Sequence, residues 1–446
     1  MIAKLSKKNI SSIDRKILLI IILVLIIINF ILFILINTAK LKSSDMDITE
    51  YLQDSLVKND DNSIPIFLKV VHIMTNIYSP YLIIIVIFNF YTVYDCFILI
   101  NILSIDYIFI FCIKMIYLKP PYSYLNKEDE KKIKIFYCGY GWGFPSEECI
   151  LMVSFYLSLW KIVTKLAINF NSSQKLIQNL LLICLILLIF IYCFGILLMG
   201  FYYLSHIIFS ILTGLIIYFT IFESNLINLL NGNEFINFIK NKYIHYIIVN
   251  LIIFIILSIF YLIERLAFNK SYNICNTIEN SKIFFKSGKN NCYLDGSYSY
   301  AILFLGNIFA ILGLKLDIKI VYKGNHSNYL QFNFPQQEWD DLIDNRSRGS
   351  RDSFTDSINI TRETLWNKTP LFISFLRLIV VVLLFGLCFI PYFIVDLTNT
   401  NINIILLIKF LLPIILLFLG IFFYFKPILK LMKLTNYTLE SILDDK

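Results

Sequence analysis

Three short stretches hold the side chains best suited to chemistry: "KMIYLKPPY" from Lys114 to Tyr122, "GWGFPSEE" from Gly141 to Glu148, and "MGFYYLSHIIFSILTG" from Met199 to Gly214. The first supplies two cations, Lys114 and Lys119, ahead of a double proline. The second puts Ser146, Glu147 and Glu148 at the mouth of an apolar run. The third carries His206, with Ser210 four residues on. Cationic donors, an imidazole and a carboxyl acid are groups that can hold an anion, attack as a nucleophile and transfer a proton. Each residue also has a plainer reading. Ser146 is a good N-cap, and acids in the next turn suit the helix dipole. Lys114 at the end of an apolar run can snorkel to the interface. Trp142, Tyr122 and Tyr202 suit an aromatic belt, and His206 suits an ordinary interfacial position.

The elements that must position these residues are membrane helices. Of the 446 residues 58% are apolar or aromatic, mean hydropathy is +0.72, and runs of about 20 apolar residues recur, the length that crosses a bilayer. The expected fold class is therefore all-α, a polytopic bundle of about ten transmembrane helices. The net charge of +8 does not point to nucleic acid, because the lysines gather at the ends of apolar runs, where they set topology. Nine cysteines show no CxxC pair, and no cofactor or metal is expected.

Lys4, Lys7, Lys8, Arg15 and Lys16 precede the run Ile17 to Ile36, which is interrupted only by Asn29. It reads as a retained signal anchor with a cytosolic N-terminus. Residues 1–47 form this anchor region. The stretch "IFLKVVHIMTNIY" is amphipathic and suits an interface. The long run from Tyr81 to Leu118 divides into two spans with a tight turn around Tyr94–Cys96. Further spans are expected at 146–163, 176–198, 203–222, 246–263, 299–314, 371–395 and 402–425. Residues 48–222 form a membrane core, and 223–446 a C-terminal membrane region with a polar cytosolic insert at about 315–369. An even number of spans puts both termini in the cytosol. It also brings the loops at 119–144 and 199–202 to one luminal face, so their polar residues can share a site. Asp95 and Asp106, within apolar sequence, leave open a polar transport pathway.

Together the three patches resemble the type 2 phosphatidic acid phosphatase superfamily, which includes lipid phosphate phosphatases, sphingosine-phosphate phosphatases and glucose-6-phosphatase. That family carries KxxxxxxRP, PSGH and SRxxxxxHxxxD, in this order and at about these intervals. The resemblance runs over roughly Ile48 to Phe222 and implies a six-helix core. Beyond it, "YLIERLAFNK" and "GSYSYAILFLGNIFAILGL" are loosely similar to the C-terminal half of glucose-6-phosphatase. It implies phosphate binding by Lys114, Lys119 and Ser146, His206 as the nucleophile that forms a phosphohistidine, Ser210 in place of the orienting Asp, and Glu148 in place of the acid, its pKa raised by burial. It implies membrane lipids as surroundings and a phosphorylated lipid or small molecule as substrate, in the endoplasmic reticulum.

The departures from the pattern are specific. Glu147 and Glu148 stand for Gly and His, Met199-Gly200 for Ser-Arg, and Ser210 for Asp; Lys119-Pro120 lies two residues early for Arg-Pro. No arginine occurs between Arg15 and Arg265, and lysine offers no planar fork for phosphate. Two expectations follow: an integral membrane phosphatase, or a phosphatase-fold protein that has lost the chemistry and binds lipid or a membrane partner.

Overall fold

A computed structural model describes residues 12–36, 39–56, 66–74, 79–90, 93–117, 143–165, 172–200, 202–220, 241–268, 298–321, 371–391 and 407–434. The described residues are helical throughout apart from short turns, and none is in a strand. The protein is an all-α membrane bundle. Six segments are long and apolar enough to cross a bilayer: Ile17–Ile36, Cys96–Tyr117, Asn179–Leu198, Tyr243–Ile263, Tyr298–Lys319 and Leu412–Leu429. Leu204–Tyr218 and Phe372–Cys388 are shorter apolar helices.

The other two expected spans are helical with different characters. Helix α4 (Ser79–Phe90) has 12 residues. Helix α6 (Glu147–Lys165) carries Glu147, Glu148, Lys161 and Lys165 within its 19 residues. Helix α5 (Val93–Tyr117) already includes Tyr94–Cys96, where a tight turn is expected from the sequence. That places Asp95 in the first turn of α5. Lys119, Tyr122 and Trp142 lie outside the described residues, as does residues 322–369 of the expected insert.

The chain divides into two compact units. The first comprises Met1–Asn76, Phe109–Ile227 and Phe268–Ser297. It holds α1 (Ser12–Ile36), α2 (Ala39–Leu56), α3 (Ile66–Met74), the end of α5, α6, α7 (Ser172–Leu198) and α8 (Leu204–Tyr218). Helices α6 and α8 lie very close. A Cβ built on Gly214 would stand 2.8 Å from Val153 Cβ and 3.0 Å from the Ile150 carbonyl oxygen, so only glycine permits this approach without a shift. Helix α1 packs antiparallel to α8. Asn29, the one interruption of its apolar run, donates from Nδ2 to Thr213 Oγ1 at 2.9 Å. Ile36 meets Phe209 and Phe144 near the start of α8. Inter-helix hydrogen bonds of this kind contribute roughly 0.6 kcal/mol on average inside a membrane. On α3, Leu68 and Val71 are buried while Ile66 and Val70 are exposed, the amphipathic pattern expected there; Val71 seats against Gly195 of α7.

The second unit comprises Ile77–Ile108, Asn228–Ala267 and Tyr298–Lys446. It contains α4, the start of α5, most of α9 (Tyr243–Phe268), α10 (Tyr298–Phe304), α11 (Gly306–Leu316), α12 (Leu371–Cys388), α13 (Leu412–Leu419) and α14 (Phe425–Leu431). Short π-helical turns run at Asp317–Val321, Leu407–Leu411 and Gly420–Tyr424.

Candidate functional site

The site is built at one end of the first unit, where α5 and α7 finish and α6 and α8 begin. Its floor is aromatic. Phe144 is fully buried and packs on Phe209, Tyr117 and the His206 ring, with centroids 4.8, 4.6 and 4.8 Å apart. Burying such a side chain is worth about 1.5–3 kcal/mol, so Phe144 anchors the turn that leads through Pro145 into α6. Gly200, at φ 74, ends α7 in the left-handed conformation that favours glycine. The chain then turns back at once into α8.

Ser146 caps α6. Its Oγ accepts from the Cys149 amide at 3.4 Å and donates to Glu148 Oε2 at 3.2 Å, while its own amide donates to Ser210 Oγ at 2.9 Å. Ser210 in turn donates to the His206 carbonyl at 2.7 Å. The single hydroxyl proton of Ser210 is thus committed to backbone, and the residue ties α6 to α8. His206 is 4% exposed, held edge-on between Phe144 and Tyr203.

Lys114 does not snorkel. It is wholly buried, and its Nζ lies 2.7 Å from Glu147 Oε2. The same oxygen accepts the Tyr202 hydroxyl at 2.7 Å, so Tyr202, expected in an interfacial belt, is an interior hydrogen-bond donor. The Glu147 carboxylate neutralises the one described cation of the site. Oε1 of Glu147 and Oε1 of Glu148 are buried without a hydrogen-bond partner among the described residues.

Of the residues singled out in the sequence, the structure thus gathers Lys114, Ser146, Glu148, His206 and Ser210 at one end of the unit; Lys119 lies outside the described residues. The residues that sequence reasoning missed are Glu147 as ion-pair partner, Tyr202 as its second donor, and Asp45 of α2, whose Oδ2 accepts the Ser205 hydroxyl. The signal for the first two was proximity in topology, since α5 and α7 must end where α6 begins. No cluster of three or more His, Cys, Asp or Glu with metal-binding geometry occurs among the described residues.

An all-α integral membrane protein, with a small buried polar site where four helix ends meet, is the class that fold and site define. Residues 95–227 match the model of the PAP2 superfamily, which bears out the resemblance drawn from the three patches. The match takes in α5, α6, α7 and α8 and every residue of the site but Asp45. Neither the curated proteins nor the solved structures give a match.

Proposed function

We propose that this is a phosphatase-like membrane protein whose phosphate position is filled by its own carboxylate, so that it binds a lipid or membrane partner instead of hydrolysing a phosphate monoester. One observation carries the reading: the buried Lys114–Glu147 pair at 2.7 Å, at a position where the family pattern has glycine. Removing one partner of a buried ion pair costs about 3–5 kcal/mol. A phosphate entering at Lys114 would have to meet that cost and the repulsion of Glu147 as well. No arginine lies between Arg15 and Arg265 to compensate. Glu148, at the family's acid position, is engaged with Ser146. The proposed setting is the endoplasmic reticulum, with both termini cytosolic and the site facing the lumen; residues 48–222 form the phosphatase-like core.

A second reading, the active phosphatase, is favoured by His206, which stands within the same helix-end cluster against Phe144. In it His206 forms the phosphohistidine, Lys114, Lys119 and Ser146 hold phosphate, Ser210 replaces the orienting Asp, and Glu148 is the acid. Phosphate release from phosphatidic acid, sphingosine phosphate and glucose 6-phosphate separates the two. Full-length protein in detergent is expected to release no more phosphate than His206→Ala. Release that disappears in His206→Ala overturns the non-catalytic reading.

A further inference from the structure

Helix α2 is out of place by composition. It is too polar to cross a membrane, with four acids and two lysines among its 18 residues, yet one face of it buries polar side chains. Asp45, Thr49 and Gln53 recur at a spacing of four, which puts them on one helix face. They are 4%, 3% and 2% exposed, whereas Ile48, Tyr51 and Leu56 on the same helix are exposed. Burial of polar groups is unfavourable unless each finds a partner, so the partners are informative.

Gln53 Nε2 donates to the carbonyl of Leu198 at 2.9 Å. Leu198 is the last residue of α7, and its carbonyl is one of the groups that a helix end leaves without an intrahelical donor. At the other side of the turn, Asp45 Oδ2 accepts the hydroxyl of Ser205. Ser205 lies in the first turn of α8, and the residue at the N-cap position, Tyr203, makes no side-chain capping bond. Asp45 thus holds the Ser205 side chain in the first turn of α8, and places a carboxylate at the positive end of the helix dipole. Thr49 bonds only back to the Asp45 carbonyl, at 2.8 Å, and spans the two contacts.

We propose that α2 is a clip across the α7–α8 turn, and that Asp45 is a positioning residue that fixes the first turn of α8 and the imidazole of His206 upon it. The reach of this clip exceeds the family match, because α2 lies before residue 95. It compensates locally for a turn in which Met199-Gly200 stands where the family pattern has Ser-Arg. The inference does not depend on whether the site hydrolyses phosphate, since it concerns where His206 is held.

The test is carbethoxylation of His206 by diethyl pyrocarbonate, followed by mass spectrometry on the full-length protein in detergent, with helicity checked by circular dichroism. Asp45→Ala is expected to raise the modification rate of His206 at least about fivefold, a change in opening equilibrium of about 1 kcal/mol. Asp45→Asn keeps an acceptor for Ser205 and is expected to stay near the wild-type rate. Ser205→Ala, which removes the hydroxyl that Asp45 holds, is expected to raise the rate toward that of Asp45→Ala and serves where Asp45→Ala does not fold. Gly214→Ala is the control for general loosening of the same helices. A wild-type rate in Asp45→Ala, or in Ser205→Ala if the former does not fold, overturns the proposal. So does a Gly214→Ala rate as high as that of Asp45→Ala.

Discussion

The pair Lys114–Glu147 in the first unit and the pair Lys426–Asp317 in the second are both lysine–carboxylate contacts taken out of solvent. Their surroundings differ. Lys426–Asp317 closes a seam of close helix packing. Within it a Cβ on Gly306 would meet Phe418 and Ile414 within 2.9 Å, and one on Gly313 would meet Phe422 Cβ at 2.8 Å. Asp317 directly follows α11 and Lys426 sits in α14, so the pair acts as the last rung of that seam. Lys114–Glu147 belongs instead to a mixed polar cluster at a helix-end turn, shared with Tyr202 and adjoining Ser146 and Glu148. The same two functional groups serve packing in one place and fill a ligand position in the other. What distinguishes them is whether a small anion could replace the carboxylate.

The largest effect follows from that difference. Asp317→Leu leaves Lys426 buried without its carboxylate and is expected to cost about 3–5 kcal/mol, while Asp317→Leu with Lys426→Leu is expected to be near neutral. Glu147→Gly strands Lys114 in the same way, and a comparable loss is expected in thermal melts. Inorganic phosphate then separates the pairs. It is expected to stabilise Glu147→Gly, by about 2.7 kcal/mol at 100 times its dissociation constant, and to leave Asp317→Leu unchanged. Equal responses of the two variants would collapse the distinction, and no recovery in Glu147→Gly would remove the claim that the carboxylate occupies an anion's place.

A smaller effect contrasts two glycines. Gly214→Ala forces a methyl to within 2.8 Å of Val153 at the α6–α8 contact and is expected to lower stability by about 1–3 kcal/mol, the usual range for overpacking. Gly386, in α12, has nothing within 4 Å of a built Cβ. Gly386→Ala is expected to be neutral or stabilising by up to about 1 kcal/mol, from helix propensity alone. Melting curves of the two variants in one detergent read the comparison directly, and equal shifts would show that the α6–α8 approach tolerates a side chain.

Much of this was legible before the structure. Runs of apolar residues announced the helices, because a bilayer demands a length and a composition that few other environments do. The Pro145-Ser146 patch, His206 and Gly214 marked the site, and Asn29 stood out as the one polar residue in the apolar run Ile17–Ile36 of α1. The partners were less legible. Glu147 was visible as a first-turn acid, but its bond to Lys114 joins residues 33 apart and depends on where α5 ends. Tyr202 carries the same signature whether it faces lipid headgroups or the interior. The start of α5 was misjudged by a few residues, since Asp95 was read as the turn itself when it lies in the helix turn that follows. The stripe Asp45, Thr49, Gln53 had the period of a solvent-facing polar face; only tertiary contact with Leu198 and Ser205 shows that it points inward.

The smallest expected effect tests that inward stripe through pH. Asp45 lies on α2, outside the membrane-spanning helices, and burial pushes its pKa up from 3.8, more than the bonds from Ser205 pull it down. Between 3.8 and the raised value the folded chain keeps a proton that the unfolded chain has lost. Stability therefore decreases as pH rises through this window. The contribution of the protonated carboxyl is fully present below 3.8 and is lost as pH passes the folded-state value. Other carboxylates titrate in the same range, so the measurement is the difference between wild type and Asp45→Asn, whose amide keeps the polar contact and cannot ionise. That difference is expected to shift in favour of Asp45→Asn as pH climbs from about 3.8 toward neutrality, and then to level off. A pH-independent difference would mean that Asp45 is not desolvated when α2 lies across the turn, and that the clip holds by its neutral contacts at Gln53 alone.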